Sequence, residues 1–142
     1  MIVLDTNVIS ELMHKIVDTR VVSWLDRQPR TSVWTTSVTV MEIRYGLQIL
    51  PEGKRRALMT VTFEKILTDH LEGRIAAFDS AAAERAGELM ALRHKKGRQV
   101  EVRDAMIAAI ILDRNAAFAT RNTADFDDLS VPVINPWLGK NS

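Results

Sequence analysis

Met1-Ile2-Val3-Leu4-Asp5-Thr6-Asn7 decides the fold of this chain. Ile2, Val3 and Leu4 have the length and branching of a strand buried on both faces. The run ends abruptly in a carboxylate, a hydroxyl and an amide, and Val8-Ile9-Ser10-Glu11-Leu12-Met13 resumes with helical apolar spacing. Such a strand-to-helix unit puts Asp5 at the carboxyl end of a parallel strand, the edge of an open α/β sheet where ligands bind. A plainer reading is also open: Asp5 or Thr6 caps the helix that follows.

The rest of the chain repeats the alternation. Val21, Val22, Trp24 and Leu25 predict a short helix closed by Gln28-Pro29. Ser32 to Thr36 is β-prone, and Ser37 is placed to cap a helix from Val38 to Leu50. Pro51-Glu52-Gly53 breaks that helix, and another runs from Lys54 to Thr68. Arg74 to Asp79 reads as a short strand or a loop. Ser80 then caps an alanine-rich helix reaching Lys96 and stopped by Gly97. Val102 to Asn115 is a buried helix, Ala117 to Thr120 a strand, and Val131 to Ile134 an edge strand in which Pro132 is tolerated. Strands alternating with helices predict a three-layer α/β/α domain with a central, mainly parallel sheet, filling residues 1–142 as one unit.

Composition narrows the function classes. The chain has 142 residues, 46% hydrophobic and 26% charged, as expected of a protein with a real core. A formal net charge of +1 commits it to no polyanion through its overall field. It has no cysteine, which excludes disulfides and thiolate metal sites and suits a reducing cytoplasm. The amino terminus lacks a basic segment ahead of its apolar run, and the run from Ala105 to Leu112 is too short to span a bilayer. A cytoplasmic protein with no membrane association is expected.

Three further acids sit in odd places. Glu42 lies within the Val38–Leu50 helix on the side of Val38, Gly46 and Ile49, where a carboxylate is costly to bury without a partner. Asp104 opens an apolar helix, where the helix dipole also favours it. Asp125 follows the Ala117–Thr120 strand in a polar turn that places Asn122 and Thr120 nearby. Gathered at one sheet edge, four carboxylates need a cation. All-oxygen ligands point to Mg²⁺ or Mn²⁺ rather than zinc, and His14, His70 and His94 show no ligand spacing. Carboxylate-held Mg²⁺ commonly serves phosphoryl chemistry.

These residues carry a resemblance. Asp5-Thr6-Asn7, Glu42 in Val40-Met41-Glu42-Ile43-Arg44-Tyr45-Gly46, Arg103-Asp104 before an apolar helix, and Thr120-Arg121-Asn122-Thr123-Ala124-Asp125-Phe126 together resemble a PIN-domain ribonuclease of the VapC toxin type, in its FitB-like branch. The resemblance spans essentially the whole chain. It implies an endoribonuclease, the toxin of a type II toxin–antitoxin pair, with Asp5, Glu42, Asp104 and Asp125 as metal ligands and Thr6, Asn7, Thr120 and Asn122 in support. Where many relatives carry an acid two residues after the last motif's threonine, this chain has Asn122, so Asn122 and Asp125 compete for the fourth ligand position. The resemblance also implies a homodimer and inhibition by a small DNA-binding, VapB-like antitoxin.

Basic residues cluster at Lys54-Arg55-Arg56 and between Arg93 and Arg103; the second group either guides an RNA backbone or complements a helix end. Arg44, Arg103 and Arg121, each next to a proposed ligand, are the substrate-binding candidates. Trp24, Trp34, Trp137 and Phe126 read as core residues, since none alternates with basic side chains. Met41, Tyr45 and Ile49 fit either the core or a partner. Two rival functions predict different behaviour: a metal-binding recognition module binds without turnover, and a DNA-directed nuclease cuts deoxy substrates.

Overall fold

The computed structural model describes residues 1–141, with side chains through Leu138. Five parallel strands form the sheet: β1 (Ile2–Leu4), β2 (Val33–Thr36), β3 (Ile75–Ala76), β4 (Ala117–Ala119) and β5 (Val133–Ile134), in the order β3-β2-β1-β4-β5. Every pairing is parallel, so the expected mainly parallel sheet is wholly so among the described residues. β1 lies at its centre, with Ile2 opposite both Val33 and Ala117. β5 takes an edge and is shorter than the expected Val131–Ile134 strand: Pro132, which lacks an N–H to give a ladder, lies just before it.

Six α-helices cover the two faces: α1 (Thr6–Leu12), α2 (Thr19–Asp26), α3 (Ser37–Ile49), α4 (Lys54–Lys65), α5 (Ser80–Lys95) and α6 (Val102–Arg114). Successive β1 side chains point to opposite sides. Leu4 therefore joins Val8, Ile9, Trp24, Phe63 and Trp137 in one core, and Val3 joins Ile107, Ile110, Ile111, Phe118 and Phe126 in the other. Trp24 and Phe126 are fully buried and Trp137 nearly so, as expected of core aromatics. Gly97, at φ +71°, ends α5 where the left-handed backbone excludes a Cβ-bearing residue at low cost.

Two caps fall one residue before their expected positions. Thr36, not Ser37, caps α3 by accepting from the Thr39 N–H, and Asp79, not Ser80, caps α5 by accepting from Ala82. Both caps have the extended backbone that a cap requires, whereas the serines already belong to the helices. Ser37 Oγ instead accepts from the Phe78 N–H, 3.0 Å away. The helix from Lys54 closes in a π turn at Ile66–His70.

Candidate active-site cleft

Asp5, Thr6, Asn7, Glu42, Asp104, Arg121 and Asn122 line a single open cleft of about 430 Å³ at the carboxyl ends of the strands. The connectivity explains the convergence. Asp5 follows β1, Glu42 lies on the helix after β2, Arg121 and Asn122 follow β4, and the first turn of α6 brings Asp104. Four stretches thus meet, three because β1 is flanked by β2 and β4 and the fourth through α6, which leads into β4.

Asp5 is both a helix cap and part of the cleft lining. It caps α1 by accepting from Thr6 N–H at 2.7 Å, and its Oδ2 accepts from Thr120 Oγ1 at 2.7 Å and from Asn7 Nδ2 at 3.3 Å. Burial pushes its pKa up to about 6 despite those hydrogen bonds, and the charges of Asp104 and Glu42 add to the rise. Asp104 is also raised, first by burial and then by Glu101, Asp125 and Glu42; Arg93 opposes the rise.

Glu42 is held by a chain of hydroxyls. Its Oε1 accepts from Thr6 Oγ1 at 2.9 Å; Thr6 Oγ1 lies 3.0 Å from Thr39 Oγ1, and Thr36 Oγ1 is 3.3 Å beyond. Each hydroxyl has one proton to give. Since Thr6 gives its proton to Glu42, Thr39 must donate to Thr6 and Thr36 to Thr39. Thr39, fully buried, is a support that sequence reasoning missed, although it stands one helical turn before Glu42.

The four acids do not share one arrangement. Asp125 is exposed and lies outside the cleft lining, though close enough for its charge to raise Asp104; Asn122 lies within the lining. Among the described residues, no three acidic or histidine side chains stand close enough together to hold one metal ion. The reason is local: Asp5 is turned toward Thr120 and Asn7, and Glu42 toward Thr6 and Arg103, whose Nη1 is 3.6 Å from Oε2. The donor chemistry still fits a hard divalent ion. The lining supplies carboxylate, hydroxyl and amide oxygens, and two carboxyls are raised, first by burial and then by neighbouring acids.

The candidate substrate arginines separate. Arg121 lines the cleft, donates its backbone N–H to Asn7 Oδ1 and lays its guanidinium 4.8 Å over the Trp137 ring. Arg103 is shared between Glu42 and Glu101. Arg44 lies outside the lining, 2.7 Å from Glu64 and over the Phe63 ring. Of the basic group from Arg93 to Arg103, open to either an RNA guide or a helix-end complement, Arg93 and Arg98 are already paired. Arg93 is 3% exposed and makes two 3.0 Å hydrogen bonds to Asp128. Arg98 donates to Asp127 and to the carbonyls of Ala124 and Asp125. Both are committed to the loop after β4. Ser10, Glu11, His14 and Trp137 complete the lining; the sequence offers no signal for them beyond the i,i+3 spacing of Glu11 and His14.

Residues 2–131 match the PIN domain. The chain is 38% identical to the VapC ribonuclease Y4jK of Sinorhizobium fredii, over 96% of this chain and 98% of that protein. It is 34% identical to toxin FitB of Neisseria gonorrhoeae, over 96% and 99%. The crystal structure of FitAcB from the same organism superposes with a TM-score of 0.87 over 96% of this chain and 99% of that one. A VapBC-5 structure from Mycobacterium tuberculosis, described as a member of a family of toxin–antitoxin systems, gives 0.68 at 27% identity, over 94% and 96%.

Proposed function

Because the chain belongs to the PIN-domain family, and its relatives include VapC and FitB toxins, we propose that it is a divalent-metal-dependent endoribonuclease, the toxin of a type II toxin–antitoxin pair. One observation carries the reading: carboxyls from three separate stretches line one cleft, and two of them are raised with no full counter-charge. Asp5, Glu42 and Asp104, with Asp125 or Asn122, would hold Mg²⁺ or Mn²⁺. When bound, that ion offsets phosphate charge and makes water a better nucleophile. Thr6, Asn7 and Thr120 fix the carboxylates, and the donors of Arg121 suit a backbone phosphate. Arg103 is placed to leave Glu42 for the same phosphate. Residues 1–142 act as one domain in the cytoplasm; among the described residues no helix is long and apolar enough to cross a membrane.

Partner binding belongs to the same proposal. Met41, Tyr45 and Ile49 on α3 and Leu58 and Val61 on α4 are at least half exposed, apolar surface suited to an antitoxin or a second copy of the chain. An antitoxin covering the cleft would silence it, most simply by presenting a basic side chain to the acids.

The purified protein, freed of antitoxin, should cut RNA in Mg²⁺ or Mn²⁺, stop on addition of EDTA, and leave DNA of the same sequence intact. Asp104→Asn should lower the cleavage rate at least ~1,000-fold with an unchanged circular dichroism spectrum. Cleavage that survives this substitution in a contaminant-controlled preparation rejects the reading. Cleavage of the DNA strand instead makes the protein a DNA nuclease, and metal binding without turnover a recognition module.

A further inference from the structure

Resting on the nuclease reading, we propose that His14, oriented by Glu11, is the proton donor to the ribose oxygen that leaves when the RNA phosphodiester is cut. Both residues line the cleft that holds Asp5, Glu42 and Asp104. Glu11 is fixed first: it is 11% exposed, and its Oε2 accepts from the Asp18 N–H at 2.9 Å. The same oxygen lies 3.3 Å from His14 Nδ1, and the His14 N–H donates to the Glu11 carbonyl at 3.1 Å. A carboxylate on Nδ1 keeps a proton there and leaves Nε2 as the working nitrogen. The imidazole is 57% exposed, open to substrate rather than packed away.

The other lining groups do not suit this task. Asp5, Glu42 and Asp104 are required as anionic ligands, and the donors of Arg121 are committed to the backbone phosphate. Thr6, Asn7, Ser10 and Asn122 are poor acids. The imidazole is the lining group with one nitrogen held by a carboxylate and the other open to donate. In the step, a water oxygen bonds to phosphorus and its proton passes to solvent. The bond from phosphorus to the departing ribose oxygen breaks, that oxygen keeps the electron pair, and it takes the Nε2 proton. The products are a phosphate monoester and a ribose hydroxyl, and the neutral imidazole regains its proton from solvent.

The test uses an RNA oligonucleotide that the wild-type protein cuts, and the same oligonucleotide with sulfur replacing the departing oxygen. A thiolate leaves without a proton. His14→Gln should cut the oxygen substrate about 100-fold more slowly yet cut the sulfur substrate at the wild-type rate. In an Asp104→Asn background, His14→Gln should leave the dissociation constant for the oxygen substrate unchanged. Glu11→Gln should cause a smaller loss, and nitrogen-15 NMR of the imidazole should show the Nδ1–H tautomer giving way. Equal losses on both substrates, a weakened dissociation constant or no loss on oxygen would each overturn the proposal. Asp104→Asn alone should fail on both substrates. If it cuts both, the nuclease reading itself is wrong; if it fails on both while His14→Gln cuts both normally, only the dyad is.

Discussion

Asp5 and Asp128 are the same side chain in two regions, and their carboxyls move in opposite directions. In the cleft, burial and the charges of Asp104 and Glu42 push Asp5 up to about 6. In the loop after β4, the Arg93 guanidinium holds Asp128 below the usual carboxylate range. The loop has counter-ions supplied by the fold, Arg93 at the end of α5 and Arg98 just beyond it. The cleft carries acids whose counter-charge must come from outside. What separates the two acids is first burial, which desolvates Asp5, and then the neighbouring charges: acids beside Asp5 and an arginine beside Asp128.

The comparison breaks most readily at Arg93. Arg93→Met should cost roughly 1–3 kcal/mol, because it removes both hydrogen bonds that the buried guanidinium gives the partly solvated Asp128, and urea unfolding would measure it. A cost below 1 kcal/mol would mean that solvent reaches Asp128 and the clamp is superficial.

Asp5→Asn and Asp128→Asn should shift stability with pH in opposite senses. The raised pKa of Asp5 means that its stabilising contribution is whole below pH 4 and is lost as pH rises through about 6. At neutral pH the ionised carboxylate therefore costs the metal-free fold about 3 kcal/mol, net of its hydrogen bonds. Metal-free Asp5→Asn should consequently gain on wild type between pH 4 and 7, and should lose most of the rise in melting temperature that Mn²⁺ gives wild type. The lowered pKa of Asp128 works the other way: its contribution is present above the ordinary carboxylate pKa and fades as pH falls below it. Asp128→Asn should be the weaker protein at pH 7, with the deficit shrinking in acid. Thermal melts across that range, with EDTA and with Mn²⁺, test both. A metal-free Asp5→Asn protein clearly less stable than wild type at pH 7 would make Asp5 mainly a cap.

The smallest effect sharpens the contrast within the clamp. Arg98 is partly exposed and spreads its donors over Asp127 and two carbonyls. Arg98→Ala should cost no more than about 1 kcal/mol in urea unfolding. A loss matching that of Arg93→Met would show the two arginines acting as one unit.

What could be read in advance follows from the range of each signal. Ile2–Leu4 and Ala117–Ala119 announce themselves as buried strands because parallel strands are apolar on both faces, and their polar ends mark the cleft edge. Thr36 and Asp79 were harder to place: each precedes a serine equally able to cap, and only the backbone angle decides between neighbours. The Arg93–Asp128 pair spans 35 residues, and nothing local separates Arg93 from the solvated cations beside it. Thr39 and the Glu11–His14 pair are short-range on α1 and α3, but their significance depends on which way each helix faces. Met41, Tyr45 and Ile49 fitted either the core or a partner, and the structure exposes all three.

The central strand is made first and one of its two neighbours late. Thr120, whose hydroxyl meets Asp5, lies 115 residues further along, and β4 must pair with β1 before the two can touch. While the ribosome is still short of β4, the growing chain has its first acid but neither Thr120, Arg121 nor Asn122 beside it. On the function proposed above, a protein built to destroy RNA has no finished cleft while it remains attached to the RNA that encodes it. A message broken before the codons for Ala117 to Ala119 would yield fragments in which Asp5 has only a helix to cap.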